Sequence, residues 1–208
     1  MDKTEQIKIG QISKLIARFA ENISKIVEGI PSEIIQFWID RPTLFQAAMK
    51  ETLSRPRFKT WKTIKLGTDF KTAGDLGRAL DKEGYNVNVP AINILYHPDF
   101  TVTAKETSID LVLVCGAELG FEGLVNRDSI YARAKKFGLK LCPAEVGPQL
   151  RLQYKDQSVF EQLLIGMEPI KDSEDCLQIF GVACGMQGKS LFGYNGDSDS
   201  NTRYVFCK

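Results

Sequence analysis

The first thirty residues carry isoleucine and phenylalanine at helical spacing. Ile12, Ile16, Phe19, Ile23, Ile26 and Ile30 step by four and three in alternation, with Leu15 and Val27 beside them. Steps of this kind keep one face apolar, which predicts an amphipathic helix with a heptad-like seam over residues 11–28. The seam suits packing on its own chain, a protein partner or self-association. "PSEIIQFWID" opens with Pro and Ser at a helix start, Arg41-Pro42 breaks the chain, and "TLFQAAMKETL" predicts a further helix. Residues 1–56 are therefore expected to be a helical segment for interaction or oligomerisation.

The pattern then changes. "TWKTIKL" predicts a strand, and "FKTAGDLGRALDKEG" a helix with Thr72 and Asp75 in a capping-box arrangement and Gly84 as its stop. "VPAINILYHP" predicts a short helix between two prolines. "SIDLVLVCGAELG" is a near-continuous apolar run, as a buried central strand would be. "NRDSIYARAKKFG" predicts a helix capped by Asn126 or Asp128 and ended by Gly138. From residue 139 onward "LKLC", "QLRLQY", "QLLIGME", "LQIFGVAC", "SLFGYN" and "RYVFC" read as strands between turn-forming segments. The expectation is α+β: the N-terminal helical segment, then residues 57–208 as a mostly antiparallel sheet. The helices of residues 71–84 and 126–138 should cover one face of it. In "QLRLQY" the period of two sends Leu150, Leu152 and Tyr154 to the core and Gln149, Arg151 and Gln153 to the other face. Arg151 then needs an acidic partner if it is buried, with Glu145 the nearest in sequence.

The stretches "AELGF", "SIYARAKKFGLKLCPAEVGPQLRLQYKDQ", "LLIGMEPIKDS" and "RYVFCK" resemble a family of small bacterial proteins that share this core. The resemblance spans roughly residues 60–208 and leaves out the N-terminal helices. It implies a domain boundary near residue 57 and draws attention to Glu145 through Tyr154. It implies no activity.

Composition narrows the function. The chain has 208 residues, 43% hydrophobic and 25% charged, enough to bury a core without metal or disulfide staples. A net charge of +1 gives no global attraction to nucleic acid or membrane. The five cysteines are odd in number and lack Cys-x-x-Cys spacing, which predicts reduced thiols that bind no metal. With no signal-peptide pattern and no apolar run near the roughly 18 residues of a membrane span, a soluble cytoplasmic protein is expected. His97 is the only histidine, so a poly-histidine metal centre is excluded, and its place before Pro98 reads as a loop. "ACGMQGKS" has Ala183 where a phosphate loop needs glycine, and a strand-like segment follows, so it reads as a hairpin. "KDSEDC" and "GDSDSN" lack the ligand spacing of a calcium loop. No cofactor is expected.

Three functional readings remain. The first is a non-enzymatic binding or interaction module, with Glu145, Gln149, Arg151 and Gln153 as the ligand-reading row, because amides and a guanidinium suit a carboxylate, phosphate or peptide edge. The second is a small enzyme using a carboxylate or cysteine near Glu145 and Cys142. The third is nucleic-acid binding through residues 50–65, where Arg55, Arg57, Lys59 and Lys62 accompany the aromatic Trp61.

Overall fold

The computed structural model describes residues 3–54, 58–172 and 174–208. The chain divides into two units, Met1–Pro56 and Arg57–Lys208. The first holds α1 (Lys3–Val27), α2 (Ser32–Ile39) and α3 (Pro42–Ser54). Pro31 and Pro42 stand at helix starts, where a missing N–H costs nothing. Trp38 meets Phe37 and Phe45 edge-on across the α2–α3 turn. Among the described side chains of α1 the apolar seam is open: Ile16 is 63% exposed, and Phe19 and Ile23 are exposed as well, as is Ile30 beyond the end of the helix. Ile12, Leu15 and Ile26 lie outside the described side chains.

The second unit begins with β1 (Lys62–Leu66), α4 (Ala73–Lys82), β2 (Asn86–Val87) and α5 (Val89–Leu95). It continues with β3 (Thr107–Cys115), β4 (Leu124–Val125), α6 (Arg127–Lys136) and α7 (Val146–Gln153). The remainder is strand: β5 (Gln162–Ile165), β6 (Ile170–Lys171), β7 (Leu177–Gly185), β8 (Gly188–Tyr194), β9 (Ser198–Asp199) and β10 (Arg203–Cys207). Local chemistry places several of these. Thr72 and Asp75 form a reciprocal capping box at α4, Asn126 caps α6 through the Ser129 N–H, and the chain leaves α6 through Gly138 at φ 83. The "ACGMQGKS" stretch is the tight β7–β8 hairpin, with Gly185 opposite Gly188.

The sheet is mixed rather than mostly antiparallel. Its order is β1-β3-β10-β5-β7-β8-β2, with β6 added on β7. β10 runs parallel to β5, and β2 runs parallel to β8. The final strand enters between β3 and β5 and takes the direction that β3 dictates, which makes it parallel to β5. β4 and β9 form a separate two-stranded ladder.

Residues 149–154 are not a strand: Gln149–Gln153 belong to α7, which starts at Val146 and carries Pro148 in its first turn, a position that helices tolerate, and Tyr154 is its C-cap. α7 touches β1, β7 and β8. β1 and β8 lie five places apart in the order, about 24 Å on a flat sheet at the usual strand spacing. One helix roughly 10 Å wide reaches both only because the sheet curls around it. Every residue from Val146 to Leu152 is therefore buried. A helix enclosed on nearly all sides needs no polar stripe, so its sequence does not display a helical period.

The sheet is also covered on both faces, not one. The register puts Phe180, Val182, Leu163 and Val205 on one face and Leu164, Tyr204 and Phe206 on the other. α7 lies on the first, with Gly147 so close to Phe180 that a Cβ there would sit 2.5 Å from Phe180 Cδ2. α6 lies on the second, where Tyr131 packs edge-on against Tyr204 and Phe206. α4 packs on α7 and β2. The "LKLC" segment forms isolated bridges, Lys140 to Cys207 and Cys142 to Met167, rather than a strand.

Candidate functional site

The helical turn of α7 separates the residues that the sequence groups together. Glu145, Gln149 and Gln153 recur every four positions and share one face, which lies along the free edge of β1. Glu145 is fully buried. Its Oε1 accepts from the Gly67 N–H at 2.8 Å and from Gln149 Nε2 at 3.0 Å, and its Oε2 accepts from the Thr103 N–H at 2.7 Å. Gln149 also donates to Thr68 Oγ1. Gln153 accepts from the Lys65 N–H at 3.0 Å and donates to the Lys65 carbonyl at 2.8 Å, standing in for the neighbouring strand that β1 lacks on that side. The row spends these hydrogen bonds on the protein's own backbone and side chains.

Arg151 lies about 120° around the helix from Glu145, six residues at 100° each, and does not meet it. It is fully buried, and among the described residues no carboxylate lies within ion-pair distance of it. Its Nη1 donates to Gln157 Oε1 and, at 3.3 Å, to the Ala183 carbonyl; Nη2 donates to the Tyr154 carbonyl at 2.5 Å. Nε has no partner. The guanidinium stacks over Tyr85 at 5.0 Å, and burial pulls its pKa below the usual arginine range. The expected acidic partner is replaced by carbonyls, an amide and a ring.

Through Gln157, Arg151 supports a surface that the sequence does not announce. Gln157 Nε2 holds the Glu161 and Val182 carbonyls. Next to Glu161, Phe160 is fixed at φ 67, with its N–H donating to the Cys184 carbonyl at 2.6 Å. Its ring is 78% exposed. A bulky residue in left-handed backbone costs on the order of 1 kcal/mol and persists only where the surroundings impose it. Glu161 is held on both oxygens, by the Tyr154 hydroxyl at 2.7 Å and by Arg203 at 3.3 Å. Burial first, then the bond to Glu161, pushes the Tyr154 pKa upward.

Phe160 stands where two depressions meet. One is a cleft of about 680 Å³ reaching Tyr194, Asn201 and Arg203; the other, about 460 Å³, reaches the β7–β8 turn at Met186. A third hollow of about 510 Å³ shares Asn201 and Arg203 with the first and extends to Glu118. Together they trace a groove across one end of the sheet. Replacing Phe160 with glycine should release the backbone strain and leave the melting temperature within about 2 °C of the parent. A fall of several degrees in thermal unfolding would mean that the ring contributes packing instead.

The remaining candidates are dispersed. Arg55 and Arg57 lie outside the described residues. Lys59 is exposed, whereas Trp61 packs edge-on against Tyr154 at 5.1 Å and Lys62 lies over the same tyrosine ring at 4.6 Å. Cys142 is buried and donates to the Val205 carbonyl, away from the groups that hold Glu145. His97 accepts from the Asp99 N–H in its loop. Among the described residues, no three His, Cys, Asp or Glu side chains gather as a metal site, and no helix is long and apolar enough to cross a membrane. No signal in the sequence marks Phe160, because its backbone conformation comes from pairing with β7. No family model, curated protein or solved structure matches the chain.

Proposed function

We propose that the protein is a non-enzymatic interaction module that self-associates through α1. The observation that carries this reading is the exposed seam of Ile16, Phe19 and Ile23 on a helix of 25 residues. With Ile16 and Ile23 at position a, Ile9 joins them at a, and Ile12, Phe19 and Ile26 fall at d, while Ile30 lies beyond the helix, past Gly29 at φ 78. From Ser13 to Val27 every charge sits at the outward c and f positions, and the flanking e and g positions hold only Ser13, Leu15, Ala20, Asn22 and Val27. A seam repeating every 3.5 residues matches another helix with the same repeat, and a second copy of this chain supplies one. Isoleucine at both seam positions favours three or four helices over two.

Burying one isoleucine is worth about 1.5–3 kcal/mol. The double variant Ile16→Asp, Ile23→Asp should therefore weaken association at least about 100-fold. Light scattering over a concentration series should give an oligomer for the parent and a monomer for the variant, with circular dichroism of the sheet unit unchanged. A parent that stays monomeric at high concentration would overturn the reading.

A second reading is favoured by Phe160: the groove at the end of the sheet binds a ligand of extended shape. The support is an exposed aromatic ring held in strained backbone between adjoining hollows, with Glu161 and Arg203 beside it. Oligomerisation through α1 would present that groove in several copies, and linked copies bind a repetitive partner more tightly than one copy alone.

A further inference from the structure

Two of the five thiols stand together. Cys207, at the end of β10, and Cys142 are 65 positions apart in sequence, yet their sulfurs lie 3.4 Å from each other. Backbone bonds fix both. Lys140 and Cys207 exchange N–H···O bonds of 2.8 and 2.9 Å, and the Cys142 N–H donates to the Gly166 carbonyl at 2.7 Å. The two cysteines differ in access: Cys142 is buried, and Cys207 is only partly so.

We propose that Cys142 and Cys207 are a redox-responsive pair, oxidised to an intramolecular disulfide by a small disulfide of the glutathione type, with Cys207 attacking first and Cys142 resolving. The Cys207 thiolate attacks one sulfur of the small disulfide. A protein–glutathione mixed disulfide forms, and one glutathione thiolate leaves and takes up the proton that Cys207 lost. Cys142 then attacks the Cys207 sulfur. The Cys142–Cys207 bond forms, the second glutathione leaves, and it takes up the proton from Cys142. Two protein thiols are oxidised and one small disulfide is reduced to two thiols.

The order of attack follows from the surroundings. The hydrogen bond with Cys142 lowers the Cys207 pKa, against the effect of burial, and Lys140 lowers it further. Burial raises the Cys142 pKa, so that thiol reacts only once the mixed disulfide lies beside it. Closing the sulfurs from 3.4 Å to a bond of about 2.05 Å requires side-chain rotation within a fixed backbone frame. Cys115, Cys176 and Cys184 are free thiols elsewhere in the unit and serve as internal controls.

The test is to incubate the full chain with oxidised glutathione, denature it in an alkylating reagent and map the peptides by mass spectrometry. The parent should lose two alkylatable thiols and yield a peptide linking Cys142 to Cys207. In Cys142→Ser the mixed disulfide should accumulate on Cys207. In Cys207→Ser, Cys142 should remain fully alkylatable. The proposal is overturned if both cysteines of the parent stay free, if the linkage joins another pair, or if Cys142→Ser carries no glutathione on Cys207. Should Cys142→Ser fail to fold, the parent map and Cys207→Ser still decide.

Discussion

Arg151→Ala should destabilise the sheet unit by about 4 kcal/mol, a fall of about 10 °C in melting temperature for a domain of this size. The substitution strips donors from the Tyr154 carbonyl and Gln157 Oε1, both buried, and from the part-buried Ala183 carbonyl. Each buried acceptor left without a donor costs roughly 1–3 kcal/mol. The contact with the Tyr85 ring is lost too, and a cavity replaces a large side chain. Against this, the parent already bears the cost of a buried guanidinium with an unpartnered Nε and no ion-paired carboxylate among the described residues. Arg151→Met, which fills the space and removes the charge, should therefore be milder by about 2 kcal/mol. Urea unfolding followed by the fluorescence of Trp61, which packs against Tyr154, would measure both. If Arg151→Ala unfolds like the parent, the guanidinium does not hold Gln157 and the Phe160 segment in place.

Glu145→Ala should cost about 5 kcal/mol, a large part of the total stability of an ordinary domain. It leaves the Gly67 and Thr103 N–H groups without their acceptor and removes the anchor of Gln149. Bonds to a charged acceptor contribute about 1.5–3 kcal/mol each. Glutamine should not rescue the position, because its NH₂ would face one of the two backbone donors. The chain around Gly67 has little room to adjust. Gly67 sits at φ 59, and a Cβ there would lie 2.5 Å from the Thr103 and Lys105 carbonyls. The Glu145 carboxylate thus ties the end of β1 to the segment before β3 and to α7. Hydrogen exchange should find the Gly67 and Thr103 amides protected in the parent and open in Glu145→Ala. Unchanged protection would mean that the carboxylate is dispensable to the fold.

What the sequence determined by itself is what short-range chemistry controls. Thr72 and Asp75 are three residues apart, so the start of α4 could be read from them alone. Asn126 and Gly138 bracket α6 in the same way, and Gly185 and Gly188 mark the β7–β8 turn. The strand over residues 107–115 was legible because both faces of it are covered from Leu111 onward, which leaves an apolar run. The tertiary structure alone decided the rest. "QLRLQY" alternates like a strand, but the curled sheet encloses most of α7, so Gln149 and Arg151 point at protein rather than water and the spacing of polar residues no longer reports secondary structure. The parallel pairing of β10 with β5 depends on where the last strand enters the sheet, which no local pattern encodes. The same holds for the 3.4 Å approach of Cys142 to Cys207 and the left-handed backbone of Phe160. Each is imposed by hydrogen bonds to a distant segment, and bonds of that kind leave no period in the chain.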